Sequence, residues 1–215
     1  RARVVLNELA KDPQRSLIVI DPVITDTAKM ADFHLRVRPG ADAWCLAALA
    51  AVLVQENLCD EAFLAEHVTG STEVRDVLRT VPIADYAQRC GVEEDLIRRA
   101  ARRIAAAESV AVFEDLGIQQ APNSTLSSYL NKMLWILTGS FAKRGGQHLH
   151  SWMAPLMGGF FGSTPVTGAR IIGGLVPSNV IPEEILTDHP DRFRAMIVES
   201  SNPAHSLADS ARCKE

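Results

Sequence analysis

The possible folds of this 215-residue chain are limited most by a series of short apolar segments. These segments end in polar turns and have helical stretches between them. Leu17–Ile20, Val110–Phe113 and Ala195–Val198 are such segments, and none alternates apolar with polar residues. Strands of this kind have both faces buried and occur in parallel sheets that helices cover. The pattern predicts an α/β fold with a mostly parallel sheet flanked by helices.

Helical periodicity, caps and breakers predict the remaining elements. We expect a further strand at Phe33–Val37, a loop at Leu116–Asn123, and helices at Arg1–Lys11, Thr25–Met30, Ala43–Gln55, Asp60–His67, Thr72–Leu78, Gly91–Ala107, Ser124–Leu137 and Pro182–Thr187. The apolar run Trp44–Val54 is about half as long as a transmembrane span, so it predicts a buried helix.

The composition and periodicity of the chain change after Ala142. Between this residue and Pro182, glycine and proline recur with little periodicity, and aromatic and apolar residues lie among them. We therefore expect a glycine-rich loop region that leads into part of a second α/β domain. This places the predicted domains at residues 1–140 and 141–215.

Composition excludes several functions. The net charge of −4, with acids and bases mixed along the chain, argues against a nucleic-acid-binding surface. The glycine signatures of an ordinary dinucleotide-binding fold and of a P-loop are both missing. His148 and His150 are more often structural than metal-bound at this spacing. The four cysteines form no metal-ligand pattern and predict buried, reduced thiols, so we assign no metal ligand and no catalytic residue.

Polar turns at predicted strand ends are the candidate binding elements, because ligands of open α/β sheets gather at the carboxyl ends of the strands. The turns are Asp21-Pro22, Glu114–Gln120 and Ser200–Ser206, and Pro39–Asp42 opens a helix. A carboxylate of Asp21 or Asp42 can accept N1–H and N2–H₂ of guanine as a bidentate pair, or bind ribose hydroxyls. The alternatives are a plain turn for Asp21, a helix N-cap for Asp42, and a solvated loop for Gln119-Gln120.

Six motifs follow one another along nearly the whole chain: Val19-Ile20-Asp21-Pro22 with Thr25-x-Thr27-Ala28-x-x-Ala31-Asp32; Arg38-Pro39-Gly40-Ala41-Asp42 with Leu46-Ala47; Asn57-Leu58-x-Asp60-x-x-Phe63; Gly117-Ile118-x-Gln120; Leu137-Thr138-Gly139-Ser140-x-Ala142-x-x-Gly145-Gly146; and Ser201-Asn202-Pro203-Ala204-x-Ser206. In this order, the chain resembles the molybdopterin-dependent oxidoreductases of the dimethyl sulfoxide reductase/formate dehydrogenase superfamily.

The resemblance implies a bis(molybdopterin guanine dinucleotide) cofactor with molybdenum or tungsten, and it implies the residues that contact this cofactor. By motif position, Asp21, Pro22, Thr25, Gly40 and Asp42 contact a guanosine end. Leu116, Gly117 and Gln120 lie beside a pterin or its pyrophosphate, and Asn202 lies near the other nucleotide. The Gly145–Ser151 stretch enters the region near the metal, where His148 and His150 are the nearest candidates for support of the metal site.

Several departures from the family pattern matter. Val23 stands where the family often has Arg, and Ser140 stands where it usually has Asn. The chain also lacks the family's iron–sulfur cysteine motif, the segment with the protein ligand to the metal, and the carboxy-terminal domain that caps the cofactor. The resemblance therefore implies an internal fragment, with residues 1–140 in a Rossmann-like nucleotide-binding domain and residues 141–215 in a neighbouring α/β domain with long loops. An iron–sulfur cluster is implied for the full-length protein but not for this chain.

The implied activity is oxidation or reduction of a small substrate coupled to electron transfer, most like formate dehydrogenase or nitrate reductase. Implied partners are the substrate, the missing parts of the same polypeptide and an electron-transfer subunit, without nucleic acid or a membrane span in this chain. We expect the isolated chain to be inactive. We also expect the protein in the cytoplasm, with the periplasm as the alternative because an export signal would lie upstream. The competing hypothesis is a non-catalytic α/β nucleotide-binding or scaffold module.

Overall fold

The computed structural model describes residues 2–148, 162–172, 174–207 and 209–215, apart from the side chains of residues 2 and 3. The chain divides into two compact units, Arg1–His148 and Leu149–Glu215. This division falls a few residues after the predicted boundary at residue 140. That the two units are cofactor-binding domains stays a prediction.

Unit 1 is mainly helical in the part that is described. Its elements are α1 (Ala2–Leu9), β1 (Ile18–Ile20), a 3₁₀ helix (Ala28–Met30), β2 (Phe33–Leu35), α2 (Asp42–Gln55), α3 (Glu61–His67), α4 (Ser71–Arg79), α5 (Ile83–Cys90), α6 (Glu94–Ala105), α7 (Leu116–Gln119) and α8 (Ser124–Leu137). Among the described residues, no helix has both the length and the apolar character that a membrane span requires.

Helix α2 is the centre of unit 1. Every residue from Cys45 to Val54 is buried, because this helix is apolar on all sides and packs against α4, α5, α6 and α8. The predicted buried helix at Trp44–Val54 is thus confirmed. The neighbouring helices are amphipathic and turn their apolar residues towards α2, as Leu78 of α4 and Ile97 of α6 do.

The strands β1 and β2 pair in parallel, with Ile18 opposite Phe33 and Ile20 opposite Leu35. Both strands pack on the core around α2 through the apolar side chains of these residues. The parallel pairing was predicted. The sheet, however, has only these two strands within the described part of unit 1, so the expected larger parallel sheet is not present there.

The predicted strand at Val110–Phe113 is wrong, because this segment belongs to no strand. Side chains replace the ladder hydrogen bonds that a neighbouring strand would supply. Val110 N donates to Ser140 Oγ at 3.0 Å, and Val112 N donates to Gln147 Oε1 at 3.1 Å. A buried-type apolar run forms a strand only where a partner backbone lies beside it.

Other local predictions also differ from the structure. Leu116–Gln119, predicted as loop, forms the short helix α7, because Asp115 caps it and accepts a hydrogen bond from Leu116 N at 2.8 Å. The helix α5 was not predicted, although Gly91 ends it in a left-handed conformation. Helix α8 spans the predicted residues.

Unit 2 is described by itself. It contains β3 (Gly162–Ser163) antiparallel to β4 (Arg170–Ile171), a 3₁₀ helix (Ser178–Val180), α9 (Ile181–Leu186), α10 (Pro203–Ser206) and a 3₁₀ turn (Arg212–Lys214). The predicted strand at Ala195–Val198 is wrong, because this segment pairs with no described strand and Ile197 is 97% exposed. The buried carboxylate of Glu184 organises this unit by accepting hydrogen bonds from the backbone of Val166 and from Thr167.

Candidate functional site

The Asp21-Pro22 turn follows β1 directly. Asp21 Oδ1 accepts a hydrogen bond from Val23 N at 2.7 Å, so the predicted turn is present and one carboxylate oxygen stabilises it. The backbone N–H of Asp21 donates to Leu35 O at 3.3 Å, which holds the turn beside the end of β2. The second oxygen, Oδ2, has no hydrogen-bond partner in the described part of the chain. Thr25 closes the next turn by accepting a hydrogen bond from Ala28 N at 3.1 Å.

Asp42 lies at the first residue of α2 and does not cap it, which corrects the predicted N-cap. The N-cap is Ala41, and no side chain caps the helix. The Asp42 side chain is half-buried, and its carboxylate has no hydrogen-bond or ion-pair partner among the described residues. A partly buried carboxylate without a partner is costly, because burial removes water without supplying a replacement donor. Asp42 is therefore the strongest polar candidate for ligand contact.

Gly40 joins the turn before α2 to the loop before α8. Its φ angle is +79°, a left-handed conformation that a residue without a Cβ adopts readily. A Cβ at this position would lie 3.5 Å from Cδ of Pro122, so the two segments lie close enough for a side chain at residue 40 to reach Pro122. This proximity brings two of the predicted binding segments, Pro39–Asp42 and Leu116–Asn123, to the same place.

The loop that carries Gln120 is anchored by Glu114. One oxygen of Glu114 accepts from Ser128 Oγ at 2.8 Å and the other from Asn131 Nδ2 at 2.9 Å, both on α8. Burial raises the pKa of Glu114, but these two hydrogen bonds and the charge of Lys132 outweigh it, so the pKa lies below its usual value. Glu114 thus stays ionised and ties the start of α7 to α8.

Beyond this anchor, α7 leaves its other predicted contact residues at the surface. Leu116 is 61% exposed, and a Cβ on Gly117 would meet no atom within 4 Å. Gln120 is exposed, and its side chain forms no hydrogen bond with the described residues. These three residues are free for a ligand or for a further part of the protein. The alternative of a solvated Gln119-Gln120 pair is right about exposure, since both residues are exposed, but Gln119 ends helix α7 and is not in a loop.

Within unit 1, neighbouring segments of the predicted site are linked in pairs, and their convergence on one ligand stays a prediction. The parallel pairing puts the exits of β1 and β2 side by side, β2 leads into the turn before α2, and Gly40 of this turn lies close to Pro122. Asn202 belongs to unit 2, where it is the exposed N-cap residue of α10 and makes no side-chain cap. His150 and residues 149–151 of the predicted Gly145–Ser151 stretch lie outside the described residues, and His148 is exposed.

Several motif residues serve the fold instead of a ligand. Asp32 Oδ2 accepts from Leu17 N at 2.8 Å and closes the β1–β2 pair. Arg38 Nη1 donates to the carbonyl oxygen of Gln88 at 3.1 Å, so it caps the end of α5.

Two further motifs meet at the end of α8. Asp60 caps α3 by accepting from Phe63 N at 3.0 Å, and Asp60 N donates to Leu137 O at 2.8 Å. Gly139 has a φ angle of +61°, and a Cβ there would overlap the Asp60 carboxylate. The glycine that follows α8 is thus required by the aspartate that begins α3.

The Glu114 anchor was missed from the sequence. A usable signal was present, because Asn131 lies on the apolar face of α8 and is 7% exposed, and a polar residue on such a face needs a buried partner. Within the described ranges, no three His, Cys, Asp or Glu side chains are grouped so that they could hold a metal ion. All four cysteines are free thiols, with Cys45 and Cys90 buried.

Comparisons with known proteins find similar chains over most of this sequence. The F420-dependent formate dehydrogenase 1 subunit alpha of Methanococcus maripaludis is 33% identical over 80% of this chain and 24% of its own length. Formate dehydrogenase H of Escherichia coli is 30% identical over 92% of this chain and 26% of its own length. The assimilatory nitrate reductase catalytic subunit of Bacillus subtilis is 33% identical over 63% of this chain and 19% of its own length.

Among solved structures, acetylene hydratase from Pelobacter acetylenicus is similar, with a TM-score of 0.57 and 28% identity over 59% of this chain and 18% of that chain. No protein-family model matches the chain. The chain spans about a quarter of the length of the curated relatives it matches.

Proposed function

We propose that this chain forms part of the cofactor-binding site of the superfamily to which it belongs, the molybdopterin-dependent oxidoreductases that include formate dehydrogenases and nitrate reductases. The proposed ligand is the guanosine end of a molybdopterin guanine dinucleotide. In the whole protein, two such dinucleotides would hold one molybdenum or tungsten ion.

The unpaired carboxylate of Asp42 carries this proposal. It is half-buried at the start of a 14-residue helix, beside backbone N–H groups that have no partner within the helix. Guanine presents N1–H and N2–H₂ side by side, and a carboxylate accepts both as a charge-assisted pair. The residues present therefore fit a guanine, since a ligand of this kind would satisfy the carboxylate that the described residues leave without a donor.

The neighbouring segments supply the other contacts in this proposal. Asp21, through Oδ2, and Thr25 would face the ribose, while Pro22 and Gly40 shape the two turns around it. Leu116, Gly117 and Gln120 would lie along the pterin or its pyrophosphate, and Asn202 of unit 2 would contact the second nucleotide. When bound, the metal and its dithiolenes supply the redox chemistry, whereas these residues bind and orient the nucleotide tails.

The activity of the whole protein is proposed at a coarser level. We propose oxidation or reduction of a small substrate, with formate or nitrate as the first candidates because relatives named for these substrates match the chain. An electron-transfer partner is also proposed, since the methanococcal relative is named as an alpha subunit. This chain would contribute binding groups and would not turn over substrate by itself.

The proposal is tested by titrating guanosine diphosphate into the 215-residue chain by isothermal calorimetry. The wild-type chain should bind guanosine diphosphate more tightly than adenosine diphosphate, because adenine cannot present the same two donors. Asp42→Asn should weaken guanosine diphosphate binding by about tenfold or more, since it replaces a charged acceptor by an amide that presents a donor to guanine. The preference for guanine over adenine should disappear in this variant.

Asp95→Asn is the matched control, because it removes the same charge from an exposed residue that is paired with Arg99 on α6. It should bind both nucleotides as the wild-type chain does. Equal binding of the two nucleotides by the wild-type chain, or an Asp42→Asn variant that keeps the guanine preference, would refute the assignment of Asp42. Metal and guanine nucleotide analysis of the whole protein after cofactor-competent expression then tests the cofactor, and the absence of both would contradict the proposal.

A further inference from the structure

We propose that Arg36 binds a phosphate group of the nucleotide ligand, an inference that rests on the proposed guanine nucleotide site and adds its missing cation. Arg36 follows β2 immediately, at the strand end where the Asp21-Pro22 turn lies. Its Nε donates to Pro22 O at 3.1 Å, so the guanidinium is fixed beside this turn.

The geometry of β2 explains how Arg36 reaches the turn. Residues two apart along an extended chain point to the same side, so His34 and Arg36 share one face. His34 Nε2 donates to Asp21 O at 2.9 Å, while Arg36 donates to the carbonyl oxygen of the next residue. Two basic side chains thus bind successive carbonyl groups of one turn and hold the Arg36 guanidinium at the end of the parallel pair.

Arg36 has spare hydrogen-bonding capacity. Neither of its Nη atoms contacts an acceptor among the described residues, and no carboxylate there forms an ion pair with it. Most other arginines of unit 1 pair with a carboxylate, as Arg98 and Arg102 do with Glu56. A guanidinium whose Nε is fixed and whose two Nη atoms are free presents a fork of parallel donors, which matches two oxygens of a phosphate.

A phosphate bound beside the Asp21-Pro22 turn would need a positive charge next to it. In the proposed site the carboxylates of Asp21 and Asp42 suit the sugar and the base but repel a phosphate, so a bound nucleotide needs a cation as well. The exposed residue after Pro22 is Val23, which offers no charge. Arg36 lies against this same turn and supplies the positive charge from the neighbouring strand.

The test compares guanosine diphosphate with guanosine, which lacks phosphate, by calorimetric titration of the full 215-residue chain. Arg36→Gln should weaken guanosine diphosphate binding by about tenfold, as expected for the loss of one charge-assisted pair, and should leave guanosine binding unchanged. Arg36→Lys should keep the charge but lose the fork of parallel donors, so its affinity for guanosine diphosphate should lie between those of the wild type and Arg36→Gln. The difference between wild type and Arg36→Gln should shrink between about 50 and about 500 mM NaCl, because salt screens an exposed charge.

Arg99→Gln is the matched control, since it removes the same charge from an exposed arginine on α6, and its nucleotide affinities should equal those of the wild type. If the wild-type chain binds guanosine diphosphate and Arg36→Gln binds it equally well, the role of Arg36 is refuted while the proposed function stands. An equal loss of guanosine and guanosine diphosphate binding also refutes it, because it shows that the turn itself has been disturbed. A wild-type chain that binds no guanine ligand overturns the proposed site and the inference together.

Discussion

Replacing Gly139 by Ala should destabilise unit 1 because the added Cβ would overlap the side chain of Asp60. The left-handed conformation of Gly139, with φ of +61°, costs a residue with a Cβ roughly 1–2 kcal/mol. The new Cβ would also lie 2.9 Å from Cγ of Asp60, so this side chain must leave its position as the N-cap of α3. Losing an N-cap costs about 0.5–2 kcal/mol.

The expected loss is together about 1.5–4 kcal/mol, which for a unit of this size lowers the melting temperature by roughly 5–12 °C. The assay is thermal unfolding followed by far-ultraviolet circular dichroism. Gly117→Ala is the matched control, because a Cβ at Gly117 meets nothing within 4 Å and the residue lies in a helix. This control should melt at the wild-type temperature or slightly above it.

A double-mutant cycle separates the two contributions. In an Asp60→Ala background the cap is already lost, so Gly139→Ala should cost only the conformational part. The double variant should therefore be less destabilised, by about 1 kcal/mol, than the sum of the two single effects. A Gly139→Ala variant that melts with the wild type, or strictly additive effects, would refute the reasoning.

Two further predictions concern the carboxylates of Glu184 and Glu114. Burial raises the pKa of Glu184, but hydrogen bonds from Thr164, Thr167 and the backbone of Val166 lower it to about 2. Because the folded pKa lies below the unfolded value, the stabilisation is present above pH of about 4.5 and is lost as the pH falls towards 2. In Glu184→Gln, the unfolding temperature measured in an acid titration should therefore depend less on pH across this window. Glu114→Ala should speed amide hydrogen exchange in residues 115–121 because it removes both bonds to α8, whereas Glu56→Ala, which removes ion pairs to α6, should leave exchange in this segment unchanged. Exchange that rises equally in both variants would show that Glu114 does not anchor the loop.

The sequence predicts the elements whose signal is local. The apolar run of α2 and the periodicity of α8 give these helices, and two apolar segments joined by a connection that contains a 3₁₀ helix give the parallel pair β1–β2. The run Val110–Phe113 fails as a strand because strand formation depends on a neighbouring backbone, which composition does not reveal. Here Ser140 and Gln147 bond its N–H groups instead.

For the candidate site too, local features can be predicted from the sequence and long-range contacts cannot. The sequence identifies Asp21 and Asp42 as carboxylates at turns, since the motifs and the turn residues are local. It does not reveal that Asp42 is left without a partner, nor that Gly40 meets Pro122 from a loop far along the chain. Contacts of this range depend on how α2 and α8 pack, and the same applies to the bonds between Glu114 and α8.

The central claim is that Asp21, Gly40, Asp42, Gly117 and Gln120 form one cradle for a guanine nucleotide. The most direct measurement is a ¹H–¹⁵N correlation spectrum of the chain during titration with guanosine diphosphate, with adenosine diphosphate as the reference ligand. We expect the amide signals of these five residues to shift together, along one saturating binding curve, and to shift less with the adenine nucleotide. Shifts confined to other parts of the chain, or identical responses to both nucleotides, would contradict it.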